Sequence, residues 1–460
     1  MDARHPDRHA LERFSRGEAH EAEERWIEDH LRSGCARCQR EVDALLMLTL
    51  SPPPFGEPDL SFDADPEESS GKETAGWDHL IATLKQRLAR VTAERREAPS
   101  LVEELLGRPP AEREGLIRGV PRFQTFAVCE LLIEKSFEEG FREAARAVEL
   151  GELALGLANL LGSDRYGRAV VQDLKARAWA YLGNARRIAF DLAGAETALA
   201  NAERLAAGGS ADPFDEARIL DLRASLLSDQ GRFEQAAELL DVVIDIYDDL
   251  REPHLKGRAM ISKGVFCGYA GWPEEAIRQL RRGLSLIDWE REPRLVLMTR
   301  HNLAWFLNDC GRSEEALRQL QRFRHIYREF NDSWTGLRLN WLSGRIAAGL
   351  SRLAEAEETL REVRRRFLAE GFGYDAALVT MDLASLYLKE GRTAEVRELA
   401  AEVLTVFLSQ DIHRQALAAL AVFQQAVELD RATPGLVREI SSYLLRARKN
   451  PRLRFERSAA

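Results

Sequence analysis

The sequence predicts an all-α protein whose main body is a solenoid of about seven helical hairpins, preceded by a separate small helical module. Two observations favour this fold class. Leu, Ala, Glu and Arg dominate the 460 residues, and this mixture favours helix at nearly every position. A turn signal followed five residues later by a small residue also recurs about every 40 residues, which is typical of a repeat array. A chain of this length exceeds what one compact core holds.

Residues 1–50 form the first predicted domain, and they contain the one cluster of residues with metal-ligand chemistry. His5 and His9 precede His30, and a Cys-x-x-Cys pair, Cys35 and Cys38, follows. Zinc takes four such ligands in a tetrahedron. A module this short has too little apolar surface to fold well without a metal ion or another cross-link. We predict zinc ligation by His30, Cys35, Cys38 and His5, with His9 as the competitor of His5. The other interpretation is a surface histidine and two incidental thiols.

The segment from His5 to Val42 resembles the zinc-binding anti-sigma domain, a zinc finger of the His-Cys-Cys type. In that family a small helical bundle holds zinc through an upstream ligand and a His-x-x-x-Cys-x-x-Cys motif. The resemblance therefore implies the same four ligands and a sigma factor of the extracytoplasmic-function class as partner. Four residues separate His30 from Cys35 here, where the family has three, and Gly34 is able to absorb the extra residue.

The next two segments connect this module to the repeats. Residues 51–76 are rich in Pro, Ser, Asp and Glu and are predicted to be a flexible acidic linker. Residues 77–120 return to apolar residues at helical spacing and form a predicted helical connector.

Residues 121–450 carry the repeats. The predicted turns, each with its following small or apolar residue, are Gly140/Ala145, Phe190/Ala195, Gly231/Ala236, Gly271/Ala276, Gly311/Ala316, Ser351/Ala356 and Gly391/Val396. Seven residues before the later turns stand further small residues, which would let two helices cross closely: Gly183, Ala224, Gly264, Ala304, Gly344 and Ala384. Apolar residues between these markers recur at helical spacing, so each repeat is predicted to be two antiparallel amphipathic helices.

This pattern resembles the tetratricopeptide repeat (TPR) family over roughly residues 121–430. Leu182, Gly183, Ala195, Leu199 and Ala202 occupy the small and apolar positions of that family. The resemblance implies a right-handed solenoid. The period of 40 exceeds the family's usual 34 and therefore implies longer helices or longer loops between repeats.

The first helices of the repeats are expected to line a concave binding groove. Counting from the small residues, the predicted groove residues are Arg177, Arg218, Arg258, His301, Trp305, Arg338, Trp341 and Arg345. An arginine row with exposed aromatic rings would suit an acidic, aromatic-containing peptide. In the alternative interpretation the arginines extend over the preceding helix and the tryptophans fill gaps between repeats.

The chain is predicted to end with a polar cap helix that starts near Pro434, followed by a frayed basic tail, residues 451–460. Its net charge of −10 argues against nucleic acid as a partner. No apolar run is long enough for a membrane span and no signal peptide is apparent, so we expect a cytoplasmic protein.

No catalytic motif appears, so the chain is not expected to be an enzyme. The expected function is that of a regulatory adaptor, in which the zinc module captures a transcription-related partner and the solenoid senses or recruits another protein. The alternative is a scaffold that delivers a client to a separately encoded enzyme, with the zinc module serving only for docking or dimerisation.

Overall fold

The computed structural model describes residues 5–6, 10–11, 21–32, 74–140, 142–330, 332–408, 414–447 and 453–455. All regular secondary structure in these ranges is helical, which confirms the predicted all-α class. The chain divides into two compact units, one of residues 1–226 and 245–252 and one of residues 227–244 and 253–460. None of the described helices combines the length and the apolar character that a bilayer crossing requires.

The helices of the first unit are α1 (Glu21–Arg32), α2 (Thr74–Leu106), α3 (Pro110–Gly119), α4 (Phe126–Glu139), α5 (Ala144–Leu160), α6 (Ser163–Tyr166), α7 (Arg168–Ile188) and α8 (Leu192–Ala206). Two helices, α9 (Pro213–Asp229) and α10 (Phe233–Asp249), contribute to both units. The second unit continues with α11 (Pro253–Tyr269), α12 (Pro273–Leu286), α13 (Pro293–Asp309), α14 (Ser313–Glu329), α15 (Ser333–Gly349), α16 (Leu353–Ala369), α17 (Gly373–Glu390), α18 (Thr393–Leu408), α19 (Arg414–Glu428) and α20 (Pro434–Ala447).

Six of the seven predicted turns adopt the left-handed backbone conformation that ends a helix sharply. Their φ angles are 63° at Phe190, 81° at Gly231, 88° at Gly271, 73° at Gly311, 60° at Ser351 and 70° at Gly391. A left-handed residue after the last helical turn satisfies carbonyl groups that would otherwise lack a partner. The seventh turn, at Gly140, also lies where predicted, between helices that end at Glu139 and begin at Ala144, but its φ of −54° is right-handed.

The 40-residue period comes from long helices joined by short turns. The first helix of each successive hairpin begins at residue 213, 253, 293, 333 or 373. Most helices in this region have 17 residues, as α9 and α13 do. Of the two explanations that the sequence left open, longer helices are therefore the main one.

The predicted small residues do lie where two helices of a hairpin cross. A methyl group added at Gly264 would come within 2.9 Å of the Leu280 side chain. One added at Gly344 would come within 3.0 Å of Leu360. Larger side chains would therefore separate the two helices of each hairpin.

The predicted connector, residues 77–120, corresponds to α2 and α3, and α2 starts at Thr74. Val102 and Leu105 of α2 share one apolar core with Phe126 and Leu132 of α4. The predicted linker, residues 51–76, lies outside the described residues up to position 73. α1 packs against α2 within the first unit.

The cap helix α20 begins at Pro434, as predicted, and packs against α17 as well as α19. Its apolar face, which includes Ile440 and Leu444, joins the same core as α17. The expectation of a frayed tail is wrong for residues 453–455. The Tyr443 hydroxyl donates a hydrogen bond of 2.8 Å to the Leu453 carbonyl, and the Phe455 ring lies 5.3 Å from the Tyr443 ring.

Candidate functional site

The second unit contains a cavity of about 720 Å³, which we call the inner cleft. The first helices of three successive hairpins, α13, α15 and α17, line it together with α20. Its principal side chains are Trp305, Asp309, Trp341, Arg345, Asp382, Ser385, Lys389, Arg438 and Ser441. Three of the predicted groove residues, Trp305, Trp341 and Arg345, thus lie on this one cavity.

The other predicted groove arginines are each paired with a carboxylate. The closest pair is Arg258 Nη1 and Glu292 Oε1, at 2.6 Å. Arg338 Nη1 lies 3.7 Å from Asp375 Oδ1, and Arg218 Nη1 lies 3.0 Å from Asp215 Oδ1. Arg177 is buried, with its guanidinium 3.7 Å from both Asp215 and Glu130.

Three of these pairs join consecutive hairpins. Arg177, Arg258 and Arg338 each reach a carboxylate 34 to 38 residues further along the chain. The row of arginines is therefore part of the packing between hairpins in each unit. A buried charge requires such a counter-charge, since leaving it unpaired costs several kcal/mol.

A stack of aromatic rings and guanidinium groups forms the floor of the inner cleft. The Trp305 and Trp341 rings meet edge to face at 5.0 Å, and the Arg345 guanidinium lies 3.9 Å above the Trp305 ring. Arg345 Nη2 also lies 2.7 Å from Asp309 Oδ1. The Trp341 indole donates a hydrogen bond of 2.7 Å to Asp382. The expectation of exposed aromatic residues is wrong for Trp341, which is only 1% exposed because it fills the space between hairpins.

His301 is buried next to this stack. Its Nδ1 lies 3.0 Å from the Tyr327 hydroxyl. Burial and the positive charges of Arg338 and Arg345 lower the pKa of His301 well below its ordinary value. The imidazole is therefore neutral at physiological pH, and its ring lies 6.1 Å from the Trp305 ring of the cleft.

Two cations of the inner cleft were not among the predicted residues. Lys389 at the end of α17 and Arg438 on α20 are both exposed. Neither forms an ion pair or a hydrogen bond with another residue that the structure describes. The repeat spacing could not identify Arg438. Its helix, α20, lies after the last repeat and packs against α17 as well as α19. Asp309 and Asp382, the counter-charges of Arg345, were also missed.

At the N-terminus, two of the four predicted zinc ligands lie side by side. His5 Nδ1 and His30 Nε2 are 3.2 Å apart, although 25 residues separate them in the sequence. The two rings meet at 82°, with their centres 5.0 Å apart. His9, Cys35 and Cys38 lie outside the described residues. Within the described part of the chain, no group of three or more His, Cys, Asp or Glu side chains is arranged to hold a metal.

Comparison with known proteins identifies the fold and no more. No family model matches the chain, and no curated protein matches it. A Rap protein complexed with competence and sporulation factor is similar to the chain, with a TM-score of 0.52 and 14% identity over 69% of this chain and 88% of that one. Aspartyl phosphate phosphatase F from Bacillus subtilis gives a TM-score of 0.47 and 13% identity, over 88% of this chain and 96% of that one. The first similarity shows that this chain shares a fold of TPR-like helical repeats with the Rap protein.

Proposed function

We propose that the chain is a non-catalytic adaptor that binds a protein segment in the inner cleft. The observation that carries this proposal is the cavity itself, which lies between the first helices of three hairpins and α20. A volume of about 720 Å³ is in the range of protein sites that hold ligands. A Rap protein of similar fold was crystallised with competence and sporulation factor, which supports the idea that repeats of this kind hold a second molecule.

The unpaired charges of the cleft favour an acidic segment with an apolar or aromatic side chain, since Glu390, which also lines the cleft, pairs with Arg392. Arg345 has counter-charges in Asp309 and Asp382, so it offers little net attraction. Lys389 and Arg438 lack such counter-charges among the described residues and would attract a carboxylate. The half-buried Trp305 would contact the apolar side chain of the partner. We therefore keep the acidic partner that the sequence led us to expect, but with Lys389 and Arg438 as its contacts in place of the predicted arginines.

The test is partner capture with charge-reversed protein. Affinity purification from native lysate, followed by identification of the retained protein, should recover a partner with wild-type chain. Lys389→Glu/Arg438→Glu protein should lose it, because both charges that attract the segment are inverted. Arg361→Glu/Arg365→Glu protein should keep it, because these two arginines lie on α16 and pair with Glu357 and Glu362. Equal capture by both double variants would contradict the proposed site.

We also propose that residues 1–50 bind one zinc ion through His5, His30, Cys35 and Cys38. Two nitrogen ligands of a tetrahedral zinc ion lie about 3.3 Å apart when each Zn–N bond is about 2.0–2.1 Å long. The 3.2 Å between His5 Nδ1 and His30 Nε2 fits this edge, which supports His5 as the upstream ligand. Zinc would join the two histidines to the cysteine pair and stabilise a module with little apolar core.

Metal analysis of the full chain, purified without chelator, tests this site. We expect one zinc per chain in the wild type and in His9→Ala protein, and less than one in His5→Ala and in Cys35→Ser/Cys38→Ser protein. Zinc absent from folded wild-type protein, or retained at full occupancy by the cysteine variant, would refute the site. Loss of zinc from His9→Ala protein but not from His5→Ala protein would show that His9, and not His5, is the fourth ligand.

The resemblance of residues 5–42 to anti-sigma domains suggests a sigma factor as the partner of this module. A chain that lacks residues 1–50 should then lose a transcription-related partner yet retain the partner of the inner cleft. If both partners were lost only in the Lys389→Glu/Arg438→Glu protein, the zinc module would have no separate partner.

A further inference from the structure

A second basic site lies where α14 meets α13 and α12 in the second unit. An ion pair between Arg281 of α12 and Glu315 of α14 shows that the two helices lie side by side. Beyond this pair, α14 exposes Arg318 and Arg322, for which no carboxylate partner exists among the described residues. This stretch therefore carries net positive charge within a chain whose net charge is −10.

The centre of this site is a Phe323 ring with two arginines. The Cζ atom of Arg300, from α13, lies 3.3 Å from the centre of the ring, and that of Arg322 lies 5.3 Å from it. Arg300 Nε is buried and has no hydrogen-bond partner in the part of the chain that the structure describes. Neither guanidinium forms an ion pair with a described carboxylate. In contrast, Arg361 and Arg365 of α16 each pair with a glutamate.

This arrangement is electrostatically unfavourable as it stands. Burial and the neighbouring charge of Arg322 lower the pKa of Arg300. Bringing two like charges together, one of them partly buried, costs free energy unless an anion compensates. Stacking on Phe323 restrains the Arg300 guanidinium while leaving its Nη groups able to donate.

We propose that Arg300 and Arg322 bind a phosphate group carried on a side chain of a partner protein. Arginine N–H groups match phosphate oxygens in pairs, and two arginines match the charge of about −1.5 to −2 on a phosphorylated side chain. A nucleic acid would instead bring a run of phosphates toward a chain whose net charge is −10, which favours a single phosphate. The site lies on other residues than those of the inner cleft, so it does not depend on the proposed function.

The test measures binding of a fluorescent peptide pool, centred on phosphoserine in random context, to the full-length chain. We expect binding to wild type that exceeds binding of the unphosphorylated pool by at least about tenfold, which is the contribution of one charged hydrogen bond at the low end of its range. Arg300→Gln/Arg322→Gln protein should lose this preference, whereas Arg361→Gln/Arg365→Gln protein should keep it. No preference in wild type, or an equal preference in the first variant, would overturn the proposal. So would tighter binding of an oligothymidine that depends on the same two arginines.

A second measurement keeps the test valid if the double variant folds poorly. Arg322→Gln alone removes the repulsion on Arg300, so this variant should melt at or above the wild-type temperature in chloride buffer. Inorganic phosphate at the same ionic strength should raise the melting temperature of wild type more than that of Arg322→Gln. Equal shifts in both proteins would mean that phosphate acts only as a general stabilising salt and would contradict the site.

Discussion

At the scale of single residues, the stability of this protein depends on the pairing of buried charged side chains. Asp215 is the clearest case in the first unit, since its carboxylate is buried between Arg177 and Arg218. Arg177 has no hydrogen bond at its Nε or Nη2 atoms within the described structure, so its charge depends on Asp215 and Glu130. Removal of the Asp215 charge would leave Arg177 with Glu130 alone and would take from Arg218 the carboxylate that lies 3.0 Å away.

Asp215→Asn should therefore lower the free energy of unfolding by about 3 kcal/mol, the typical cost of breaking a buried pair. Chemical denaturation monitored by circular dichroism would measure it. Glu114→Gln is the matched control in the same unit, because Glu114 and Arg118 form an exposed pair on α3. Such a pair contributes about 0.5 kcal/mol at most. Equal effects of the two substitutions would show that Asp215 is not needed to neutralise Arg177.

A neighbouring residue should make stability depend on pH. Asp212 accepts a hydrogen bond of 2.9 Å from the Phe214 amide, and burial together with the Asp215 charge raises its pKa to about 6. The native state then holds this proton more tightly than the unfolded chain, so stability falls as pH rises from about 4 through 6.

Asp212→Asn keeps an oxygen for the Phe214 amide and removes the charge. It should raise the melting temperature at pH 7.5 and raise it much less at pH 4.5, where Asp212 is protonated in the native state and only the unfolded chain ionises. Differential scanning calorimetry at the two pH values would check this. A gain of the same size at both values would show that charge is not the cause.

At the scale of the helices, stability depends on small residues at the points where two helices cross closely. Helix α15 contains two glycines in different surroundings, which gives an internal comparison. A methyl group at Gly344 would meet Leu360 at 3.0 Å, whereas one at Gly336 would meet no atom within 4 Å. The first glycine is needed for the helix crossing, and the second is only a weak helix former.

Gly344→Leu should destabilise the protein by about 1–3 kcal/mol, because the added side chain overpacks the crossing. Gly336→Ala should instead stabilise it by up to about 1 kcal/mol through helix propensity. Thermal unfolding of the two variants would distinguish these effects. If Gly344→Leu melted like wild type, the small residues would not mark helix crossings.

The sequence could predict the hairpins because each turn and each crossing is a local requirement that recurs. Even Phe190 and Ser351, which are not glycines, were located by their spacing and adopt the left-handed conformation. The contacts of the predicted groove arginines could not be predicted in the same way. Whether Arg338 faces a partner or Asp375 depends on how one hairpin is rotated upon the next, and the spacing of residues within one helix does not fix that rotation.

For the molecule as a whole, the C-terminal helix matters more than a polar cap would. α20 buries apolar side chains against α17 in the largest core of the second unit. Burial of each such side chain contributes about 1.5–3 kcal/mol relative to leaving it exposed. The same helix also forms one wall of the inner cleft.

Deletion of residues 434–460 should therefore lower the melting temperature of the second unit and expose apolar surface, which binding of a hydrophobic dye would report. Deletion of residues 456–460 is the control and should have no such effect. Unchanged stability after the longer deletion would mean that α20 is dispensable for the second unit.

The constant spacing of 40 residues between successive hairpins also limits which insertions and deletions the chain can accommodate. Because Arg258 reaches Glu292 and Arg338 reaches Asp375, loss of part of a hairpin would separate each arginine from its acid. Duplication or loss of a whole 40-residue block would instead bring equivalent residues back into contact. Descendants and relatives of this chain should thus differ within the repeats by whole blocks, and insertions of other lengths should fall in the short turns.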